Sequence, residues 1–208
     1  MAGGKKKFYV VWSGVNPGVY GSWDECRLQV AGCKGAKYKS FATHDEALEA
    51  FGAGYADYKQ WQTTDVPTIR SGVAYIADSL AVDAACSGNP GDMEYRGVHV
   101  ATGSEWFRVG PLKEGTNNVG EFLALVHGLA YMKRENICLP IYSDSRNAIK
   151  WVQLKKCRTK LERKAVNAKV FELIARAEKW LAENDSPAPI IKWDTAAWGE
   201  IPADFGRK

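Results

Sequence analysis

Four acidic side chains lie in segments of the chain that are otherwise apolar. Asp83 falls inside the run LAVDAAC, Glu121 is followed by FLAL, and Asp144 ends the run ICLPIYSD. The fourth acid, Asp204, lies in IPADFGRK, four residues after Glu200. Because an unpaired charge is costly to bury, acids in such segments are expected to pair with cations or to bind metal ions.

Carboxylate oxygens are the ligands that Mg²⁺ and Mn²⁺ prefer. If the acids converge at one end of a sheet, they could hold two ions about 3.5–4 Å apart, which would activate a water and stabilise the leaving oxygen of a phosphodiester. A helix is expected over residues 198–205, where the spacing of Glu200 and Asp204 would place both on one face. The spacing alone does not show convergence, and acids that are separately paired or solvent-facing are the alternative.

The elements that would position these acids follow from local sequence patterns. Aromatic and β-branched stretches predict strands at 7–12, 38–41, 80–85, 95–102, 105–110, 138–142 and 190–193, and glycines predict a loop at 14–22. Apolar periodicity predicts helices at 24–30, 44–51, 118–133, 161–183 and 198–205, the first two capped by Ser22 and Thr43.

A polar stretch that contains Pro67 and Gly72 divides the chain. We therefore expect a small α+β N-terminal domain at 1–52, a helix extension and linker at 53–72, and an α/β domain at 73–208. In the larger domain, the order of the elements predicts a mixed sheet, in which a three-stranded meander is followed by helical crossovers.

The composition bounds the class of protein. With 208 residues, 46% of them hydrophobic and 25% charged, the chain can bury a core, and its net charge of +4 is only weak support for a polyanionic partner. Apolar runs are too short for a membrane span, and the N-terminus lacks the pattern of a secretory signal. Five cysteines without CxxC spacing favour a reducing compartment. We expect a cytoplasmic monomer with no membrane association and no obligate protein partner.

Four motifs together resemble the catalytic domain of type 1 ribonuclease H. They are VDAACSGNPG (82–91), TNNVGEFLALVHGL (116–129), YSDSRNAI (142–149) and ADFGRK (203–208), and the resemblance extends over residues 78–208. The segment 8–51, from FYVVW to EALEAF, resembles the RNA/DNA hybrid-binding, or viroplasmin-like, domain of eukaryotic-type ribonuclease H1. The two segments thus resemble the two domains of one type of protein, a ribonuclease H with an N-terminal hybrid-binding domain.

The resemblance implies a fold, an activity and a cofactor. The fold would be ribonuclease H-like, with a five-stranded mixed sheet flanked by helices. The activity would be endonucleolytic hydrolysis of the RNA strand of RNA/DNA hybrids, which leaves 5′-phosphate and 3′-hydroxyl ends. Asp83, Glu121, Asp144 and Asp204 match the family's catalytic carboxylates, which bind two Mg²⁺ ions, with Mn²⁺ as a substitute. Glu200 matches an additional acid that assists product release in some members.

The same resemblance assigns residues to the two strands of a hybrid. Amide side chains suit a ribose 2′-hydroxyl because they both donate and accept hydrogen bonds. The implied residues are Ser87, Gly88, Asn89 and Asn117 for the RNA strand, Thr116, Asn118 and Thr159 for a DNA phosphate, and Trp23, Tyr38 and Lys39 in the N-terminal domain. Without the resemblance, SGNPG would be interpreted as a turn, TNN as a helix cap and Trp23 as a core residue.

Two positions depart from the family pattern. Many members carry a histidine in a loop before the last aspartate, whereas IIKWDTAAWGEIPAD contains none. Glu200 is therefore the better candidate for assisting product departure. In the N-terminal domain, the family's second lysine after the aromatic residue is Ser40, which predicts a lower affinity for hybrids.

The basic run KKCRTKLERK at 155–164 is interpreted either as a solvated surface or as a contact with a nucleic-acid backbone, and the neighbouring acids favour the second. Two other functions stay open. A binding protein with a vestigial site is disfavoured by the complete set of acids. A nuclease or transposase acting on DNA is disfavoured by Asn89 and Asn117, which suit an RNA strand.

Overall fold

Two separate units make up the chain, Met1–Asp65 and Val66–Lys208. The computed structural model describes residues 7–41, 44–55, 58, 74–185 and 188–206. No helix among these residues is long and apolar enough to cross a membrane.

The described residues of the smaller unit form a three-stranded antiparallel sheet and two helices. Strand β1 (Phe8–Ser13) lies between β2 (Gly18–Tyr20) and β3 (Lys37–Phe41). A loop was expected here because the segment is rich in glycine, whereas the three residues of β2 form a strand. Helix α1 (Trp23–Val30) begins as predicted, with the hydroxyl of Ser22 accepting a hydrogen bond from the backbone N–H of Glu25 at 3.3 Å. Helix α2 spans His44–Ala53, and its expected cap, Thr43, lies outside the described residues.

Aromatic side chains surround the small core of this unit. Val10, Ala47 and Ala50 are buried there. Trp12 donates a hydrogen bond from Nε1 to the carbonyl oxygen of Ala50 at 2.8 Å, and its ring stacks on Tyr58 with centroids 4.7 Å apart. Trp12 is therefore a packing residue, with Tyr58 stacked against its ring.

The larger unit is built on a five-stranded mixed sheet, as predicted. Its strands lie in the order β6-β5-β4-β7-β8; β4, β5 and β6 are antiparallel, and β7 and β8 run parallel to β4. The strands are β4 (Leu80–Cys86), β5 (Gly91–His99), β6 (Glu105–Gly115), β7 (Ile141–Ser143) and β8 (Ile190–Lys192). The turn between β5 and β6 contains Gly103, whose φ of 68° suits glycine.

Within the part of the larger unit that the structure describes, four helices and one 3₁₀ turn accompany the sheet. They are α3 (Asn117–Arg134), α4 (Arg146–Gln153), the 3₁₀ turn Ala165–Asn167, α5 (Ala168–Glu183) and α6 (Thr195–Trp198). Helix α4 is not among the predicted elements. The helix expected at 161–183 begins only at Ala168, and the one expected at 198–205 is wrong, because α6 ends at Trp198 and no helix follows up to residue 206.

Two glycines bring α3 close to the sheet. A Cβ atom added to Gly120 would lie 2.7 Å from Cβ of Ala84, and one added to Gly128 would lie 2.6 Å from Cδ1 of Ile141. Real side chains could not occupy either space without a shift, so glycine sets the spacing between the helix and the sheet. This close approach brings Glu121, which follows Gly120, toward strand β4.

A second buried cluster holds the C-terminal segment on the sheet. It contains Ala81, Val98, Tyr142, Ile191, Trp193, Ile201 and Ala203. Residues 201–203 are thus packed against the sheet although they form neither helix nor strand.

Candidate active site

Three of the four predicted carboxylates come together in the larger unit. Asp83 lies in β4, Glu121 on α3 and Asp144 directly after β7. One carboxylate oxygen from each lies within 4.8 Å of the others. Asp83 is 7% exposed and Glu121 is 4% exposed, while Asp144 is half-buried. The group is therefore a compact set of oxygen ligands withdrawn from solvent.

The register of the parallel strands places the two aspartates side by side. Leu80 pairs with Ile141 and Ala81 with Tyr142. Asp83 and Asp144 follow these pairs by the same number of residues, so they leave neighbouring strands at the same level. Their meeting is a consequence of strand order and not of any local pattern.

Helix capping positions the third acid. Thr116 is the N-cap of α3, and its hydroxyl oxygen accepts a hydrogen bond from the backbone N–H of Val119 at 3.4 Å. Asn117 then donates from its side-chain amide to Oε1 of Glu121, also at 3.4 Å. The other oxygen, Oε2 of Glu121, is buried and has no hydrogen-bond partner among the described residues.

Burial and the charges of neighbouring acids perturb all three acids. Burial, followed by the charge of Asp144, raises the pKa of Asp83 to about 7. Burial together with the charges of Asp83 and Asp144 raises the pKa of Glu121 well above its usual value. The pKa of Asp144 is also raised, mainly by burial. The donor set of this group contains only carboxylate oxygens, including an orphaned oxygen on Glu121, and such a set fits divalent metal ions.

Lys192 is a nearby cation that the sequence analysis missed. It lies on β8 opposite Ser143, the residue before Asp144. Its Nζ donates a hydrogen bond to the carbonyl oxygen of Trp193 at 2.6 Å. Burial lowers the pKa of Lys192, while its charge lowers the pKa values of Asp144 and Glu121. Lys192 could be assigned to the site only from the position of its strand, which runs parallel to β7. That position is known only once the strand order is known.

Asp204 and Glu200 lie near the group but by a different geometry from the one predicted. They do not share a helix face, because residues 199–206 contain no helix. Oδ2 of Asp204 accepts a hydrogen bond from the backbone N–H of Gly206 at 2.8 Å. The charge of Asp204 raises the pKa values of Asp83 and Asp144, and that of Glu200 raises the pKa of Asp144. Both acids are thus within electrostatic range of the three clustered carboxylates.

The residues assigned to the RNA strand lie in a turn and at a helix terminus. Ser87, Gly88 and Asn89 are exposed in the turn between β4 and β5. The hydroxyl of Ser87 accepts a hydrogen bond from the backbone N–H of Asp92 at 2.9 Å, which closes the turn. Asn117 is exposed at the beginning of α3.

The residues assigned to a DNA phosphate lie at two places in the unit. Thr116 and Asn118 are half-buried at the beginning of α3. Thr159, also half-buried, uses its hydroxyl oxygen to accept a hydrogen bond from the backbone N–H of Leu161 at 3.1 Å.

One buried amide ties the basic run 155–164 to the strand that precedes Thr116. Asn167 is fully buried and donates to the carbonyl oxygens of Glu162 at 3.0 Å and Glu114 at 3.4 Å. Its side-chain oxygen accepts from the backbone N–H of Lys164 at 2.8 Å. Part of the run's positive charge is neutralised, since Lys156 pairs with Glu178 and Lys164 pairs with Glu114.

In the smaller unit, the three predicted binding residues are on the surface. Trp23 is 41% exposed and Tyr38 is 46% exposed, and their ring centroids lie 5.9 Å apart. Lys39 is exposed, with its Nζ 5.2 Å from the centroid of the Tyr58 ring. Trp23 is therefore not the buried core residue that an isolated tryptophan usually is.

Two family models match the chain. Residues 7–51 match a model described as the ribonuclease H1 N-terminal domain, and residues 77–185 match the model of RNase H. The second match covers more than half of the sequence and contains Asp83, Glu121 and Asp144. The chain belongs to the RNase H family.

Curated relatives share short segments with the chain. A ribonuclease H of Crithidia fasciculata is 54% identical over 43 residues, which are 21% of this chain and 9% of that protein. A ribonuclease H of Schizosaccharomyces pombe is 43% identical over 49 residues, 24% of this chain and 19% of that protein. The matches thus span less than a fifth of either relative. A solved RNase H1 isolated from compost is 18% identical, covers 57% of this chain and 86% of its own, and has a TM-score of 0.39.

Proposed function

We propose that the protein is an endoribonuclease that hydrolyses the RNA strand of RNA/DNA hybrids and leaves 5′-phosphate and 3′-hydroxyl ends. The observation that carries the proposal is the cluster of Asp83, Glu121 and Asp144, whose oxygens lie within 4.8 Å of one another in a chain of the RNase H family. Burial and neighbouring negative charges raise the pKa values of all three acids, so their charged forms are destabilising unless cations join them.

The carboxylates would hold the catalytic metal ions. Asp83, Glu121, Asp144 and Asp204 would bind two Mg²⁺ ions, for which Mn²⁺ could substitute. Bound there, the ions would supply charge stabilisation at the scissile phosphate and a nucleophilic water at neutral pH. Because the pKa values of the three clustered acids are raised, metal binding would release protons from them.

Asn117 would connect recognition of the RNA sugar to the acids. Its amide donates one hydrogen bond to Glu121. The remaining donor and the carbonyl oxygen of the same amide can engage a ribose 2′-hydroxyl, the group that distinguishes RNA from DNA. Asn89, with Ser87 and Gly88 in the exposed turn, would make the neighbouring contacts to the RNA strand. A ribose in this position would lie beside the carboxylate that binds metal.

Hydroxyl groups and lysines would hold the DNA strand. The side-chain oxygens of Thr116 and Thr159 accept backbone hydrogen bonds, so both hydroxyl hydrogens are available to a phosphate oxygen. Asn118 would complete this contact, and the basic run 155–164 would bind the backbone without reading sequence.

The remaining predicted residues would act before and after cleavage. Trp23, Tyr38 and Lys39 present two aromatic faces and a cation to solvent, which suits the deoxyriboses and phosphates of the DNA strand. A tethered binding module raises the effective concentration of the catalytic domain at its substrate. Glu200 would assist product departure. We further propose that the protein acts as a monomer in the cytoplasm.

The test is cleavage of matched RNA/DNA, RNA/RNA and DNA/DNA duplexes by the full chain, with Mg²⁺ and with EDTA. We expect metal-dependent cutting confined to the RNA of the hybrid, with 5′-phosphate products. Cutting of the DNA/DNA duplex would contradict the substrate assignment. Tight binding of the hybrid without cutting in either Mg²⁺ or Mn²⁺ would identify a binding protein on a nuclease scaffold.

A further inference from the structure

Arg96 connects the central strands to the C-terminal segment that carries Asp204. It lies on β5 directly opposite Asp83 in the register of β4 and β5. Its Nε donates a hydrogen bond to the carbonyl oxygen of Ala203 at 2.8 Å, and its Nη2 donates to the carbonyl oxygen of Asp204. One guanidinium therefore binds the carbonyl oxygens of two successive residues, and Arg96 itself is paired with Asp83 on the neighbouring strand.

Asp204 has little regular structure of its own to position it. Its backbone N–H donates to the carbonyl oxygen of Ile201 at 2.8 Å, which closes a single turn. Ile201 and Ala203 are buried in the second cluster and anchor the chain just before the acid. The hydrogen bond from Nη2 of Arg96 attaches the backbone of Asp204 itself to a strand of the sheet.

The guanidinium is fixed by its surroundings. Nη1 of Arg96 lies 3.3 Å from Oε2 of Glu105, which also accepts from Nε of Arg108 at 3.2 Å. The ring of Phe205 lies under both arginines, 4.8 Å from the guanidinium carbon of Arg96 and 5.1 Å from that of Arg108. A group held on several sides can position a partner without losing conformational entropy at the moment of binding.

We propose that Arg96 is a positioning residue, which holds Asp204 within reach of Asp83, Glu121 and Asp144 and so completes the set of metal ligands. The proposal rests on the proposed function only in treating these acids as metal ligands. Lysine could not replace the arginine fully, because the planar guanidinium donates to two carbonyls in a fixed geometry while its face lies on an aromatic ring. The charge that Asp204 exerts on Asp83 and Asp144 is consistent with this placement.

The first experiment measures metal binding without substrate. The melting temperature of the full chain is titrated with Mn²⁺ for the wild type, Arg96→Gln, Arg96→Lys and the control Arg108→Gln. The control removes the neighbouring arginine over Phe205, whose hydrogen bonds go to Glu105 and Glu94 rather than to residues 203–204. Outer partners of metal ligands typically contribute 10–100-fold to affinity, so we expect Arg96→Gln to weaken Mn²⁺ binding by about 10-fold, Arg96→Lys to be intermediate and Arg108→Gln to be unchanged.

A double-mutant cycle tests whether Arg96 acts through Asp204. Asp204→Asn should weaken Mn²⁺ binding, and adding Arg96→Gln to it should weaken binding no further. Additive losses, or wild-type affinity in a folded Arg96→Gln protein, would overturn the proposal. If Arg96→Gln does not fold, the same cycle is measured with Arg96→Lys.

A steady-state measurement separates this role from substrate binding and from the proposed function. The Mg²⁺ concentration for half-maximal cleavage should rise in Arg96→Gln, while KM for the hybrid stays unchanged at saturating Mg²⁺. A raised KM with an unchanged metal requirement would contradict the positioning role. If the wild type cuts no hybrid at all, the nuclease proposal fails, whereas the Mn²⁺ titrations still decide the role of Arg96.

Discussion

The two units of the chain hold their predicted functional residues in opposite ways. In the larger unit, Asp83 and Glu121 are nearly inaccessible, and burial raises the pKa of each. In the smaller unit, Trp23, Tyr38 and Lys39 lie on the surface, and no charged side chain among its described residues is buried. One unit places like charges in its interior to assemble its site, whereas the other uses a face that is already exposed.

The difference shows what each task requires of a fold. Hydrolysis needs charges fixed before the substrate arrives, and fixing like charges in a dry place opposes folding. Binding a duplex backbone needs only aromatic faces and cations in contact with solvent. Substitutions in the two units should therefore have opposite signatures, with activity and stability changing in different directions in the larger unit and affinity alone changing in the smaller one.

The largest effect is expected from Asp144→Asn. Loss of one metal ligand removes several kcal/mol of transition-state stabilisation, so cleavage of the hybrid should fall by about 10³-fold or more. Binding of the hybrid should be retained, because the contacts to both strands are intact. The control is Asp185→Asn, whose side chain is fully exposed. If Asp144→Asn cleaved the hybrid as fast as the wild type throughout a Mg²⁺ titration, Asp144 would not be a metal ligand.

In the larger unit without metal, the free energy of unfolding should change by a few kcal/mol between about pH 4 and about pH 7. Without metal, the unfolded chain loses the proton of Asp83 near pH 4, while the folded chain keeps it until about pH 7. The folded state thus binds more protons in this window, and its stability falls as the pH rises from about 4 to about 7.

Asp83→Asn removes this proton uptake, so the variant should equal the wild type near pH 4 and exceed it in stability near pH 7. Urea unfolding in EDTA at several pH values measures the difference between the two proteins. Asp185→Asn, an exposed aspartate, should leave the wild-type dependence on pH unchanged. A constant difference between Asp83→Asn and the wild type across the window would show that the buried acid does not titrate in it.

In the smaller unit, Trp23→Ala should lower affinity alone. Truncating an aromatic side chain that anchors an interface costs more than about 1 kcal/mol, so hybrid binding should weaken by about 10-fold while kcat stays constant. Leu28→Ala is the matched control, because Leu28 lies on the same helix and is 69% exposed. Equal losses in the two variants would place the hybrid elsewhere on the unit.

The smallest effect is expected from Lys160→Gln in the basic run. Lys160 is exposed, and losing one phosphate contact should reduce the slope of log affinity against log salt by about 1. Lys179→Gln on α5, which pairs with Glu183, should not change the slope. The slope is obtained from hybrid binding at several salt concentrations, and an unchanged value for Lys160→Gln would make the run a solvated surface.

Local patterns are sufficient for the parts of the site that lie on regular elements. Asp83 interrupts an apolar strand, and Glu121 lies in a long helix rich in apolar residues, so the sequence alone places both on their elements. The mixed sheet also follows from the order of strands and helices. These features depend on neighbours in sequence, which is why the sequence predicts them.

The parts that the sequence does not predict depend on partners distant along the chain. Residues 198–205 were expected to form a helix, yet the segment after Trp198 is held by Arg96 and by a buried cluster that no local pattern indicates. Lys192 becomes part of the site only through the pairing of β8 with β7. Helix α4 and strand β2, with eight and three residues, were not predicted, although α1, β7 and β8 are equally short and were predicted.

The two indoles at the C-terminal segment also give the protein a built-in optical signal. The rings of Trp193 and Trp198 have centroids 5.0 Å apart and are inclined at 71°, and Nε1 of Trp193 donates to the carbonyl oxygen of Gly199 at 2.8 Å. At this separation their electronic transitions couple, and the coupled band in far-ultraviolet circular dichroism depends on the angle between the rings. A change in the backbone beside Glu200 would thus alter the spectrum without any added label.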